Sequence, residues 1–211
     1  MAAEATGRGR RLVLVRHGRT AWNAEGRAQG HADVGLDDTG REQAEQMAPH
    51  VAAFDPVLLA SSDLARARET AAFLEKQTGL SAVEDPRLRE YDVGRRSGLT
   101  REEFADLLGP EAAQSWDVHS HVDAEGAETV QEVGERLVPA LHDVLERLGE
   151  DETGVVVLHG AAMRVGIAGL LGWPLEVSDG FEAMHNCAWA VLREHGTSRL
   201  RLSSYNTGAG Q

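Results

Sequence analysis

The stretch "VLVRHGRTAWN", from Val13 to Asn23, is a short apolar run that ends abruptly in an arginine, a histidine and a glycine. The run predicts a strand that is buried on both faces. A solvated loop after such a strand needs none of these three residue types in particular. A site that binds and attacks a phosphate can use all of them, because they supply a cation, a nucleophile and a backbone that a ligand can approach closely.

Three further apolar runs rich in branched residues predict strands. They are "VLLA" (57–60), "VVVL" (155–158) and "WAVL" (189–192). The first two, like the run at 11–15, are predicted to be buried on both faces. Helical patterns lie between the runs, and strands that alternate with helices predict a three-layer α/β/α sandwich with a mostly parallel central sheet.

The helical patterns carry start and stop signals. The segment that ends at Gly79 has a typical helix stop, and Thr129 with Glu132 has capping-box spacing at the start of another helix. Pro49 lies inside a third pattern and is expected to kink or shorten that helix. The apolar stripe of the helix after Thr129 is formed by Val130, Val133, Leu137, Leu141, Val144 and Leu148.

The composition limits the class of protein. The 211 residues have a formal net charge of -13 and 42% hydrophobic content, which predicts a globular protein that binds neither nucleic acid nor an anionic membrane. The single cysteine, Cys187, excludes an internal disulfide and fits a cytoplasmic protein. We expect a tail over residues 1–9 and one domain over 10–207, with a cap-like excursion at about 91–128. The stretch from Glu102 to Glu135 is expected to be irregular. A homodimer is compatible with these features.

Two of the predicted strands end in the same dipeptide. His17-Gly18 follows the first strand and His159-Gly160 follows the run at 155–158. Ligands of parallel sheets bind beyond the carboxyl ends of the strands. The two histidines are therefore expected to meet at one edge of the sheet.

Five motifs in order resemble those of the histidine phosphatase superfamily, the phosphoglycerate-mutase-like fold. They are "RHGRTAWNAEGRAQGHADVGLDDTGREQA", "SSDLARARETA", "LREYDVG", "GAETVQEV" and "VVVLHGAAMRVGIAGLLG", and the closing "HNCAWAVL" and "YN" also fit. The resemblance spans nearly the whole chain. It implies the branch with the RHG motif and a phosphatase of the broad-specificity type.

The resemblance also implies a set of catalytic residues. His17 is the expected nucleophile, with its second ring nitrogen held by a backbone carbonyl near Gly18. Arg16 and Arg66 are expected to bracket the phosphoryl oxygens, and His159 to act as a third donor that a bound dianion keeps protonated. Glu90 is the candidate general acid, and the alternative for it is an exposed carboxylate among many acidic residues.

Further positions match residues that often face the substrate in this family. The expected phosphate-binding residues besides Arg16, Arg66 and His159 are Asn23, Gln29, Gly30 and Gly160. For Asn23 and Gln29 the alternative is local hydrogen bonding in a turn. The chain departs from the family in "DVGRRSGLT", where Arg96 or Ser97 stands at a position often occupied by tryptophan.

Three functions follow from these motifs, and the first is favoured. The first is a phosphomonoester hydrolase, which transfers the phosphoryl group of a small phosphorylated metabolite from the nucleophile to water. The second is a mutase of the cofactor-dependent phosphoglycerate type, which transfers this group to a second hydroxyl. The third is a non-catalytic member of the fold, which only binds phosphate or a phosphoprotein. The interval from Arg101 to Arg136 contains no other Lys or Arg, so a pocket roofed by it is predicted to lack the charge that a mutase needs for a phosphorylated acid.

A metal site is not expected. His119 and His121 alternate as strand ligands can, but no further ligands complete a site at suitable spacing, and two loop histidines are the preferred interpretation. The expected chemistry needs no cofactor.

Overall fold

The computed structural model describes residues 9–109, 125–195 and 199–209. Its centre is a six-stranded sheet in the order β3-β2-β4-β1-β5-β6. The strands are β1 (Arg11–Arg16), β2 (Pro56–Ser61), β3 (Val83–Glu84), β4 (Thr153–Leu158), β5 (Trp189–His195) and β6 (Arg199–Thr207). β1, β2, β3 and β4 are parallel, and β5 pairs antiparallel with both β1 and β6. The predicted mostly parallel sheet is confirmed.

Helices cover both faces of this sheet. They are α1 (Ala21–Ala24), α2 (Asp38–Ala52), α3 (Ala65–Thr78), α4 (Arg101–Leu108), α5 (Val130–Glu146) and α6 (Gly160–Leu170), with 3₁₀ turns at Pro86–Leu88, Gly94–Arg96 and Leu175–Gly180. Thr129 and Glu132 form the predicted capping box of α5, and Gly79 ends α3 in the left-handed conformation with φ of 76°. All six residues of the predicted stripe of α5 are buried.

Alternating side chains of β1 divide the core into two layers. Leu12 and Leu14 pack with α5 and α6 on one face, whereas Val13 and Val15 pack with α2 and α3 on the other. This period of two is the pattern of a strand that is covered on both sides. The three-layer α/β/α sandwich is therefore confirmed.

The structure differs from the sequence-based predictions in several places. β2 is not buried along its whole length, since Val57 is 49% exposed where the two-residue β3 leaves the start of β2 uncovered. Pro49 does not shorten α2, because it lies in the last turn, where the helix continues only to Ala52. The interval between Arg101 and Arg136 is not irregular throughout, since α4 lies in it. Neither β3 nor β6 had a predicted counterpart.

Two parts of the sequence-based interpretation lie outside the described residues. The tail falls there up to residue 8, and His119 and His121 fall in the undescribed range 110–124. Among the helices that the structure describes, none is long and apolar enough to cross a membrane.

Candidate active site

Three adjacent strand ends build the site. Because β4 lies between β1 and β2, the residues that follow these strands, His17, Ser62 and His159, meet at the carboxyl edge of the sheet. The ring centroids of His17 and His159 are 5.2 Å apart, with the ring planes at 57°. The sequence-based expectation that the two histidines share one edge is thus fulfilled by the order of the strands.

The backbone at Gly18 fixes the tautomer of His17. Nδ1 of His17 lies 2.7 Å from the carbonyl oxygen of Gly18, which can only accept a hydrogen bond, so Nδ1 carries the proton and Nε2 has a free lone pair. Gly18 has no room for a side chain, since a Cβ there would lie 2.5 Å from the carbonyl oxygen of Gly40. Its N–H donates to Oγ1 of Thr70 at 3.0 Å. Because a side chain would collide with Gly40, a glycine must follow the histidine.

The His17 imidazole is held in the neutral form. It is buried, and burial lowers its pKa well below the ordinary value of 6.5, with the positive charges of Arg66 and Arg16 acting in the same direction. The hydrogen bond to Gly18 opposes the shift but does not reverse it. A neutral ring with an unprotonated Nε2 is the form that can act as a nucleophile.

Two guanidinium groups stand beside this ring, that of the buried Arg66 and that of the partly buried Arg16. Arg66 donates from Nη1 to the carbonyl oxygen of Ala32 and from Nη2 to that of Gly30, both at 2.8 Å, and burial lowers its pKa to about 10, so it stays charged at neutral pH. Arg16 donates from Nη1 to the carbonyl oxygen of Met184. The Nε of Arg16 is buried and has no hydrogen-bond partner among the described residues, which leaves a donor for an anion.

His159 is fixed by a serine that precedes α3. The Nε of Arg66 donates to Nδ1 of His159 at 3.2 Å, so the proton of the neutral ring lies on Nε2, which is 2.9 Å from Oγ of Ser62. His159 is fully buried, and burial followed by the charge of Arg66 lowers its pKa well below 6.5. The imidazole therefore connects the end of β2 to the guanidinium group.

Glu90 is held at the N-terminus of α6. Its Oε1 accepts from the backbone N–H of Ala162 at 2.8 Å and of Tyr91 at 3.0 Å, and its Oε2 accepts from Ala161 at 3.1 Å. Arg136 supports the same segment through a 2.8 Å hydrogen bond to the carbonyl oxygen of Glu90. Glu90 is thus a positioned carboxylate at the site and not one of the many solvated acidic residues.

A cavity of about 270 Å³ opens onto these groups. Seven of the residues expected from the sequence line it: Arg16, His17, Asn23, Gln29, Gly30, Arg66 and Glu90. His159 and Gly160 do not, although His159 contacts Arg66 and a Cβ at Gly160 would lie 3.2 Å from Nε of Arg16. Gly160 therefore leaves space for the arginine.

Asn23 and Gln29 combine turn hydrogen bonding with a place in the cavity wall. Oδ1 of Asn23 accepts from the backbone N–H of Thr20 at 3.2 Å, and Oε1 of Gln29 accepts from Oγ1 of Thr20 at 3.0 Å. Since both oxygens have protein donors, the amide N–H groups are the atoms that these side chains can offer to an anion.

The model of the histidine phosphatase superfamily (branch 1) matches residues 12–207. The chain belongs to this superfamily. Glucosyl-3-phosphoglycerate phosphatase of Mycolicibacterium vanbaalenii is 37% identical over an alignment covering 95% of this chain and 96% of the relative. Phosphoglycerate mutase-like protein 4 of Arabidopsis thaliana is 38% identical over 72% of this chain and 67% of its own length. The solved structure of a mycobacterial glucosyl-3-phosphoglycerate phosphatase in complex with VO3 has a TM-score of 0.87 and 34% identity, and the match covers 94% of this chain and 100% of that one.

Several site residues of this histidine phosphatase were not found from the sequence. Ser62 and Thr70 lie in the motif "SSDLARARETA", but their contacts with His159 and Gly18 are made with partners that are distant in sequence. The sequence does mark Arg164, because it is the one charged residue in the apolar helix α6. It also marks Arg96, which lies in the segment that departs from the family pattern. Both arginines line the cavity.

Within the described residues, no group of three or more His, Cys, Asp or Glu side chains could hold a metal ion. The buried donors at the site include nitrogens of His17, Arg66 and His159 and the hydroxyl group of Tyr91. This donor set suits an anion.

Proposed function

We propose that this histidine phosphatase hydrolyses phosphomonoesters through a phosphohistidine formed on Nε2 of His17. The observation that supports the proposal most strongly is the 2.7 Å hydrogen bond between Nδ1 of His17 and Gly18, which leaves Nε2 unprotonated beside the buried Arg66 and the partly buried Arg16. A non-catalytic phosphate binder has no need for a nucleophile with a fixed tautomer.

In the first step, Nε2 of His17 attacks phosphorus in line with the ester oxygen. The N–P bond forms as the P–O bond to the leaving group breaks, and Glu90 gives its proton to the departing oxygen. Arg16 and Arg66 bind the equatorial oxygens, where negative charge spreads in the transition state. In the second step, water attacks phosphorus while the carboxylate of Glu90 takes its proton, and His17 leaves as the neutral imidazole.

His159 contributes through its protonation. A phosphoryl dianion that binds Arg66 competes with the hydrogen bond from Nε of Arg66 to Nδ1 of His159. The ring can then take up a proton at Nδ1 and donate it to the ligand, while Nε2 keeps Ser62 as its partner. His159 thereby becomes the third donor of the phosphoryl site.

Glucosyl-3-phosphoglycerate is the substrate that the relatives suggest. The phosphatase of Mycolicibacterium vanbaalenii matches this chain over nearly the full length of both proteins, and the structural match to a mycobacterial phosphatase is equally complete. The similarity to the mutase-like protein covers less of the chain. A homodimer and a cytoplasmic location stay predictions.

The test is hydrolysis of glucosyl-3-phosphoglycerate and of an aryl phosphate, with and without EDTA. We expect phosphate release from both, unchanged by EDTA, and loss of turnover in His17→Ala. An acid-labile phosphoryl group should be trapped on the wild type and not on the variant. The matched control is His50→Ala, which removes a histidine near Trp189 and away from the cavity. Substantial turnover by His17→Ala would overturn the assignment of the nucleophile.

A further inference from the structure

Three more arginines line the cavity besides Arg16 and Arg66. They are Arg27, Arg96 and Arg164, which come from the segment after α1, the 3₁₀ turn Gly94–Arg96 and the helix α6. None of the three lies between Arg101 and Arg136, the interval on which the prediction of a weakly charged pocket rests. The cavity is more positively charged than binding of one phosphoryl group requires.

The charge of Arg27 is already matched by protein carboxylates. Its Nε donates to Glu25 at 2.8 Å and its Nη1 to Glu103 at 2.6 Å, and Nη1 also donates to the carbonyl oxygen of Gly98 at 2.7 Å. Arg27 therefore has little left to offer a ligand.

Arg164 is in the opposite situation. It is only 5% exposed, makes no ion pair within the described part of the chain, and donates from Nη1 to the carbonyl oxygen of Phe181 at 3.2 Å. Its Nε is buried with no hydrogen-bond partner in that same part. Buried charges are ordinarily paired, and a buried donor without a partner destabilises the fold.

Tyr91 presents a second donor of the same kind in the same cavity. It is 5% exposed, and its Oη is buried without a hydrogen-bond partner among the residues described. Burial raises the pKa of Tyr91, so the phenol keeps its proton, and the charge of Arg164 acts on it electrostatically in the opposite direction. Two buried donors that influence each other and line one cavity indicate an acceptor supplied by the ligand.

Arg96 adds positive charge to this wall. Burial lowers its pKa to about 10 against the opposing effect of Glu90, so it remains charged at neutral pH. Arg96 or the adjacent Ser97 stands at the position where the family that the motifs resemble often has tryptophan.

We propose that Arg164 and Tyr91, assisted by Arg96, form a second anion subsite beside the phosphoryl position, and that this subsite binds a carboxylate of the substrate. The proposal rests on the proposed phosphatase function and narrows its substrates to phosphorylated hydroxy acids and their derivatives. A carboxylate offers two oxygens in one plane, which suits a guanidinium group together with a phenol. The phosphoglycerate part of the substrate named above contains such a group.

The test compares 3-phosphoglycerate with glycerol 3-phosphate, two phosphomonoesters that differ in whether a carboxylate or a hydroxymethyl group is present. We expect wild-type kcat/KM to favour 3-phosphoglycerate by about 10- to 100-fold, the range for a hydrogen bond to a charged group. Arg164→Gln and Tyr91→Phe should each reduce this ratio about tenfold or more. Arg95→Gln, a neighbour of Arg96 whose side chain is 53% exposed and pairs with Glu125, should leave the ratio unchanged.

Failure of the subsite and failure of the phosphatase function give different results. Equal kcat/KM for the two substrates, or a ratio that neither variant changes, would refute the subsite and leave the hydrolase intact. If neither compound is hydrolysed, calorimetry of their binding to His17→Ala decides whether the subsite binds a carboxylate. Tighter binding of 3-phosphoglycerate that is lost in Arg164→Gln supports the subsite, and equal binding refutes it. Tyr91→Phe retains the ring that packs in the core, so it tests the proposal even if Arg164→Gln does not fold.

Discussion

Mild acid should destabilise this protein through the two buried imidazoles. His17 and His159 are neutral in the fold because burial and the neighbouring arginines lower their pKa values well below 6.5. In the unfolded chain both rings have ordinary pKa values. As the pH falls below about 6.5, the unfolded state binds protons that the folded state refuses, and the free energy of unfolding decreases.

The size of this effect follows from the proton linkage. A ring that titrates near 6.5 when unfolded and stays neutral when folded loses about 1–2 kcal/mol of stability between pH 7.5 and 5.5. Two such rings lose about 3 kcal/mol. For a chain of this length, that corresponds to a fall in Tm of about 6–12 °C.

The assay is thermal unfolding at pH 7.5 and 5.5 in buffers without phosphate, since a bound anion would favour the charged rings. The control is the double variant His17→Asn/His159→Asn, which keeps polar side chains at both positions but does not titrate. The wild type should lose about 3 kcal/mol more than the double variant over this interval. Should the double variant not fold, His17→Asn alone should remove about half of the difference. Equal pH dependence of wild type and variant would refute the neutral, buried state of the rings.

Two further predictions concern the same site. Binding of vanadate or phosphate at pH 7.5 should be accompanied by uptake of up to one proton, because the dianion favours the protonated form of His159. Calorimetry in buffers of different ionisation enthalpy measures this proton uptake. Zero uptake would contradict the role of His159 as the third donor. Arg136→Met should lower kcat about 10- to 100-fold with little change in KM, because Arg136 holds the segment that carries Glu90 without lining the cavity. Arg68→Met removes an arginine that is 46% exposed and serves as the control; an unchanged kcat in Arg136→Met would show that Glu90 needs no such support.

The sequence predicts the layers of the fold because its strands are short, apolar and branched. A strand covered on both faces, such as β4 with all six residues buried, leaves a continuous apolar run that is easily recognised. β6 was missed because it lies at the edge of the sheet, where none of its residues from Arg199 to Thr207 is fully buried and so no apolar run marks the strand. The start of β2 was misjudged because the extent of its neighbour β3 cannot be read from the sequence of β2 itself.

The site was predicted as far as its residues occur in recognisable motifs. His17, Arg66 and His159 stand in such motifs, and the strand order brings them together. Ser62 and Tyr91 also stand in these motifs, but their roles depend on the contact of Ser62 with His159 and on the burial of Tyr91, which only the fold supplies. Charge on the cavity wall was underestimated because the argument followed one interval of the chain, whereas Arg164 reaches the cavity from a helix after that interval.

The position of β5 next to β1 has a consequence for biosynthesis. The carbonyl oxygen of Met184 accepts from Arg16, and the Asn186 side chain donates to the carbonyl oxygen of His17 at 3.1 Å, so the first motif of the chain is completed by residues near its other end. A ribosome must therefore translate most of the message before the nucleophile has its surroundings. A product truncated ahead of Met184 carries the RHG motif without either of these two contacts.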